Sequence, residues 1–171
     1  MRRLFIVFIF LLALFFEVSI FSRLGFVGIY PNIMLMFLVS TFFILPELWV
    51  FIMTLSGYLV LGLFTPIVWG ALAVPVFLIF IILYLIHKYI FTNINLIVIF
   101  LMGVIASIFY NLSVLLFYFL WGQRIDFVFF LKTSFFMNIL VNGIFAILWF
   151  YFINSFWENF LKRESYSRLL R

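Results

Sequence analysis

Long apolar runs separated by short polar breaks set the pattern of this chain. Six such runs follow one another, each near the ~20 residues an α-helix needs to cross a hydrocarbon core of roughly 30 Å. The pattern predicts helices over 4–21, 31–45, 48–64, 71–86, 96–121 and 127–157. Pro31 suits a first helical turn, because its missing N–H would be unpaired there anyway. Pro46-Glu47 and Thr65-Pro66 divide the second, third and fourth helices. Pro75 falls in the first turn of the fourth or slightly inside, where it would kink the helix. His87-Lys88 closes the fourth helix, and Gly122-Gln123-Arg124 turns the chain after the fifth. The sixth run is longer than a span needs, which predicts a tilt or a first turn lying in the interface. The expected fold is therefore an all-α integral membrane domain of six transmembrane helices over 1–157, followed by a basic cytoplasmic tail over 158–171.

Composition sharpens this picture. Apolar residues make up 70% of the chain and charged residues 9%, with a mean hydropathy of +1.42. A soluble domain carries about 25% charged residues, so a water-facing globule is not expected. Phe, Ile and Leu dominate, and the 29 Phe follow from that bias without marking a function. The chain has no Cys, which removes disulfides, thiolate chemistry and Cys-ligated metals. The net charge of +5 is spread over helix ends and the tail instead of forming a stripe, so no nucleic-acid partner is expected. Met1-Arg2-Arg3 and the apolar run after it imitate a signal peptide. No small-x-small cleavage site follows, so the run reads as a retained first helix.

Six spans place both termini on one side, and basic residues choose which. With the N-terminus inside, the inner segments hold Arg2, Arg3, Lys88, Lys162, Arg163, Arg168 and Arg171. The outer segments hold only Arg23, Arg124 and Lys132. Both termini are thus expected in the cytoplasm. Trp49 and Trp157 then fall at the inner interface and Trp69 and Trp121 at the outer one. Trp149 lies deeper.

In lipid a polar side chain needs a partner, so polar positions mark buried faces. Gly103, Ser107 and Asn111 recur every four residues on the fifth helix; Ser134, Asn138 and Asn142 do so on the sixth and continue to Ala146. Four-residue spacing keeps each set on one face. In an antiparallel pair, Asn111 reaches the depth of Asn138, Ser107 that of Asn142, and Gly103 that of Ala146. The stripes are expected to face each other, either as helix glue with amides bonding across at ~0.6–2 kcal/mol each, or as a polar wall for a ligand or partner helix. Glu17, one turn in from the outer end of the first helix, has two readings. It either snorkels outward beside Arg23, or anchors the outer turn or a partner's polar group. Asn32 after Pro31 can cap the second helix or contact a ligand. Gly57 and Gly62 are five apart and do not form a shared small-residue face, so close packing or flexibility is expected of them. His87, the only His, reads as an interfacial residue. No catalytic set, phosphate loop or metal constellation occurs, so no enzyme activity and no cofactor are expected. The tail interleaves Lys162, Arg163, Arg168 and Arg171 with apolar residues; it would lie on the inner leaflet or be solvated.

Several short features, in order, resemble the rod shape-determining protein MreD family. They are Phe15-Phe16-Glu17-Val18-Ser19-Ile20-Phe21 closing the first helix, Tyr30-Pro31-Asn32-Ile33-Met34-Leu35-Met36 opening the second, Gly57 in the third, Gly70 in the following turn, and Asn138-Ile139-Leu140-Val141-Asn142-Gly143 in the last. Length, span number and a basic tail agree. One departure stands at Thr65, where many members carry an acidic residue after a Gly-x-x-x-Gly stretch. The resemblance implies a noncatalytic scaffold subunit in the bacterial inner membrane. Such a subunit binds the bitopic protein MreC and links MreB filaments indirectly to peptidoglycan synthesis by RodA and a class-B penicillin-binding protein. The family is also similar in architecture to the six-helix substrate-binding subunits of energy-coupling-factor transporters. That leaves a vitamin- or metal-binding carrier subunit as the alternative. Glu17, Pro31, Asn32, Gly57, Ser107, Asn111, Asn138 and Asn142 are the candidate partner- or pocket-facing residues. A carrier would need an outward pocket with converging polar and aromatic groups, and the short outer loops offer little to form a lid. A channel would need a charged ring or filter loop that the sequence lacks.

Overall fold

The computed structural model describes residues 2–21, 31–64, 72–90, 95–122 and 135–169. Regular structure among these residues is entirely helical. Helix α1 spans Arg2–Phe15 and runs on as a π-helical segment, Phe16–Phe21. Then come α2 (Ile33–Phe42), α3 (Glu47–Leu61), α4 (Ala73–Tyr89), α5 (Leu96–Leu120) and α6 (Phe136–Leu169).

The centre of the bundle is α2. All ten of its residues are buried, and it touches α1, α3, α4, α5 and α6. Ten residues rise about 15 Å, half of a ~30 Å hydrocarbon core, so α2 is shorter than the 31–45 span the apolar run predicts. Both ends have local causes. Asn32 adopts extended backbone and becomes the N-cap, which leaves Pro31 outside the helix. At the other end the N–H groups of Ile44 and Leu45 both turn back onto the Thr41 carbonyl, at 3.0 and 2.9 Å. Apolar character continues through 43–45, so hydropathy alone does not register the turn.

The other helices shift from their expected bounds as well. In α3, Leu63 and Phe64 bond to Val60 and Leu61 carbonyls at 3.0 Å, tightening the chain into a turn after Leu61. Pro75 is the third residue of α4, inside the first turn, where a missing N–H leaves no intrahelical bond unmade. Asn95 caps α5 by accepting the Val98 N–H at 2.8 Å. Two segments are long and apolar enough to cross a membrane, Leu96–Phe117 and Phe136–Glu158; α2, α3 and α4 have 10, 15 and 17 residues. The sixth helix does not end at Trp157 but continues unbroken to Leu169. The basic segment after 157 is thus helical as far as Leu169.

Helices α5 and α6 pack closely at Gly103. A Cβ on Gly103 would lie 2.8 Å from the Ala146 Cβ and 3.3 Å from the Gly143 Cα. Gly103 thus meets Ala146, the partner that counting along antiparallel helices assigns it. The outer surface is apolar on every other helix: Phe8 and Leu11 on α1, Ile52 on α3, Phe77 and Leu78 on α4, Leu116 on α5, and Leu140 and Ile144 on α6 are all exposed.

Candidate functional site: a polar node at the start of α2

A helix begins with N–H groups that have no acceptor within the helix. In α2 these donors are buried, and side chains from the π-helical segment, the cap position and α6 accept them, with a tyrosine of α3 joining at the cap. Asn32 accepts the Leu35 N–H on Oδ1 at 2.9 Å, the usual N-cap bond. Glu17, carried by the π-helical segment, accepts the Ile33 N–H on Oε2 at 2.6 Å, and the Met34 N–H also bears on its carboxyl group. Asn142 of α6 accepts the Asn32 N–H on Oδ1 at 2.8 Å. The Tyr58 hydroxyl of α3 donates to Asn32 Oδ1 at 2.7 Å. The Met36 N–H then starts the regular ladder on the Asn32 carbonyl at 3.0 Å.

The donors of Asn32, Ile33 and Leu35 therefore each have a side-chain acceptor, contributed from three different places in the chain. The arrangement also places a carboxyl group at the positive end of the helix dipole, the favourable polarity. Glu17 does not snorkel outward; it turns into the bundle. Its proposed companion Arg23 lies outside the described residues, as do Thr65, Gly70 and Ser134.

The fold brings Glu17, Asn32 and Asn142 together, with buried Pro31 directly before the cap. Gly57 belongs to the same region but serves packing. A Cβ there would collide with the Met34 methyl and lie 3.1 Å from Phe10, so the glycine lets α3 close on α2 and α1. Asn142 differs from expectation. It lies on the stripe facing α5, but its Oδ1 goes to the backbone of α2 instead of across to Ser107. The Ser107 hydroxyl and the Asn111 Nδ2 are buried without a hydrogen-bond partner. Asn138 is half-buried. The α5–α6 contact includes close packing of Gly103, Gly143 and Ala146, and the expected amide bonds to Ser107 and from Asn111 Nδ2 are not formed.

Sequence reasoning missed Tyr58. It is 1% exposed, and a buried Tyr hydroxyl usually finds a partner, so a tyrosine beside a helix-interior glycine was the available signal. Its ring lies 5.8 Å from that of Tyr110 on α5, which ties a further helix to the node. Ser40 was missed as well; its hydroxyl donates to the Ala146 carbonyl at 3.1 Å and joins α2 to α6 one face away. His87 sits edge-on to Phe42 and Phe43, with centroids at 5.6 and 5.3 Å, packed against the far end of α2.

Chemically, the node binds backbone. Its acceptors are used by N–H groups of the same chain, and the described residues hold no cluster of three metal-ligating side chains. Compared with known proteins, the chain matches no protein-family model, no curated protein and no solved structure.

Proposed function

We propose that this chain is a six-span inner-membrane protein with both termini cytoplasmic, acting as a noncatalytic scaffold subunit of the cell-elongation complex. In this reading it binds an MreC-like bitopic partner. Through that contact it links MreB filaments to RodA and a class-B penicillin-binding protein. The observation that carries the proposal is the node. Glu17, Asn32 and Asn142 are the polar groups a ligand pocket would be built from, and they are spent on closing the bundle around α2. What remains to offer a partner is the outside.

The short α2 fits a membrane setting. In lipid an unsatisfied backbone group costs several kcal/mol, so a helix of about 15 Å is tolerable only where protein surrounds it and side chains complete its end. Both conditions hold for α2. The apolar exterior of the other helices and the mean hydropathy of +1.42 support the same setting. The carrier reading keeps one foothold: the unpaired Ser107 hydroxyl and Asn111 Nδ2 are donors that a guest could take.

Mild purification from the native membrane, with mass spectrometry of what accompanies the chain, tests the proposal. A bitopic protein with a large periplasmic domain, together with cell-wall synthases, supports the scaffold. An ATPase pair with a coupling subunit, or a stoichiometric vitamin, overturns it in favour of the carrier.

A further inference from the structure

The uninterrupted course of α6 has a functional consequence. Its apolar portion ends at Glu158, yet the helix continues to Leu169. Those eleven further residues add about 16 Å at about 1.5 Å each. Lys162, Arg163 and Arg168 fall within this extension against a single acid, Glu164, and Arg171 follows it in the sequence.

The order of residues decides between a leaflet and a protein as the counterpart. A helix that lies on a membrane segregates its apolar and charged faces. With each residue turning the helix by about 100°, Lys162, Arg163 and Arg168 take register positions that divide the circumference into three similar sectors. Tyr166 falls in the sector between Lys162 and Arg163, Phe160 in that between Arg163 and Arg168, and Leu161 and Leu169 in the third. Neither class owns a face. The distance agrees with this: Arg168 stands ten residues past Glu158, about 15 Å along the axis, whereas the leaflet's potential fades within a Debye length of about 8 Å.

We propose that the 159–169 extension of α6 is a cytoplasmic docking post for an acidic protein segment that encloses it. Basic register positions on three sides of the helix suit an acidic counterpart that surrounds it more than one that meets a single face. The inference rests on the membrane reading of the previous subsection. It adds the site and chemistry of a contact on the cytoplasmic side.

Because the chain has no Cys, single-cysteine spin labels can be placed cleanly on the full-length protein in nanodiscs, with and without anionic lipid. Labels at Leu148 and Ser167 report depth by their access to oxygen and to a water-soluble nickel chelate. A fluorescent polyglutamate peptide serves as the acidic probe. The expected result is a lipid-accessible Leu148 label, a water-accessible Ser167 label in both lipids, and polyglutamate binding. Replacing Lys162, Arg163, Arg168 and Arg171 by Gln should weaken that binding by roughly tenfold, the scale of several exposed ion pairs, and leave the Leu148 signal in place as a check on folding. A Ser167 label drawn into the headgroups of anionic discs would make the extension a lipid anchor and overturn the inference alone. So would polyglutamate binding indifferent to the four substitutions. A water-accessible Leu148 label would overturn the membrane reading and the inference with it.

Discussion

Asn32 is the residue on which the node turns, because its side chain takes two donors and its backbone offers a third. Oδ1 accepts from Leu35 N and Tyr58 Oη, and its own N–H goes to Asn142. Tyr58→Phe removes one donor and leaves the cap intact, so it should cost about 0.6–1.5 kcal/mol. Asn32→Leu strands two buried donors, each worth about 1–3 kcal/mol unpaired, and should cost at least twice as much. Thermal unfolding in detergent measures the difference; equal losses would show that Asn32 does not hold both groups. Glu17 gives a second comparison. Gln keeps an oxygen for the Ile33 N–H, whereas Leu leaves the first turn of α2 without it. Glu17→Leu should therefore be the more destabilising by about 1–3 kcal/mol. A Gln variant as unstable as Leu would mean that the charge opposite the helix dipole, and not the bond, is what matters. The sequence pointed to Asn32 as a cap and to Glu17 as costly, because both judgements rest on local chemistry. It did not join them to Asn142 and Tyr58. Those meetings lie 110 and 26 residues apart in the chain and depend on which faces of four segments converge.

At the level of elements, α5 and α6 were the most legible pair. Four-residue spacing of small and polar residues fixed their facing stripes, and Gly103 does meet Ala146. The same register should bring Ser107 beside Asn142 and Asn111 beside Asn138, one and two turns farther along. Cysteines at 107 and 142, or at 111 and 138, should form intramolecular disulfides on mild oxidation, since Cα atoms within about 7 Å can be bridged. Failure of both pairs would break the assigned register. Gly103→Val should abolish both crosslinks, because the atoms in its way are the Ala146 Cβ and the Gly143 backbone and neither can rotate aside. The least legible element was α2. A helix buried on every side has no amphipathic pattern to read, and its apolar run looks the same whether lipid or protein surrounds it. Its true length was set by the Asn32 cap and by the turn onto Thr41. The continuation of α6 past Trp157 was hidden for a related reason: the hydropathy drops there, while nothing in 158–169 breaks a helix.

For the molecule as a whole, a central helix sealed by its neighbours implies an unusual distribution of local stability. In an ordinary helix the first-turn amides lack partners and exchange readily with solvent, because local opening there costs little. In α2 the same amides are buried and bonded to Glu17 and Asn32. In nanodiscs, hydrogen exchange at 33–35 should therefore be as slow as in the middle of α5. Asn142→Leu removes the acceptor for the Asn32 N–H without touching Gly103 or Ala146. It should speed exchange at the start of α2 by about five- to thirtyfold, for a loss of roughly 1–2 kcal/mol, and leave the α5 centre unchanged. Uniform acceleration across α2 and α5 would instead mean that Asn142 stabilises the bundle globally. Fast exchange at 33–35 in the unsubstituted protein would mean that the node stands open, the condition a carrier needs and a closed scaffold does not. The measurement thus reads the geometry of one helix end, and through it the choice between the two functions.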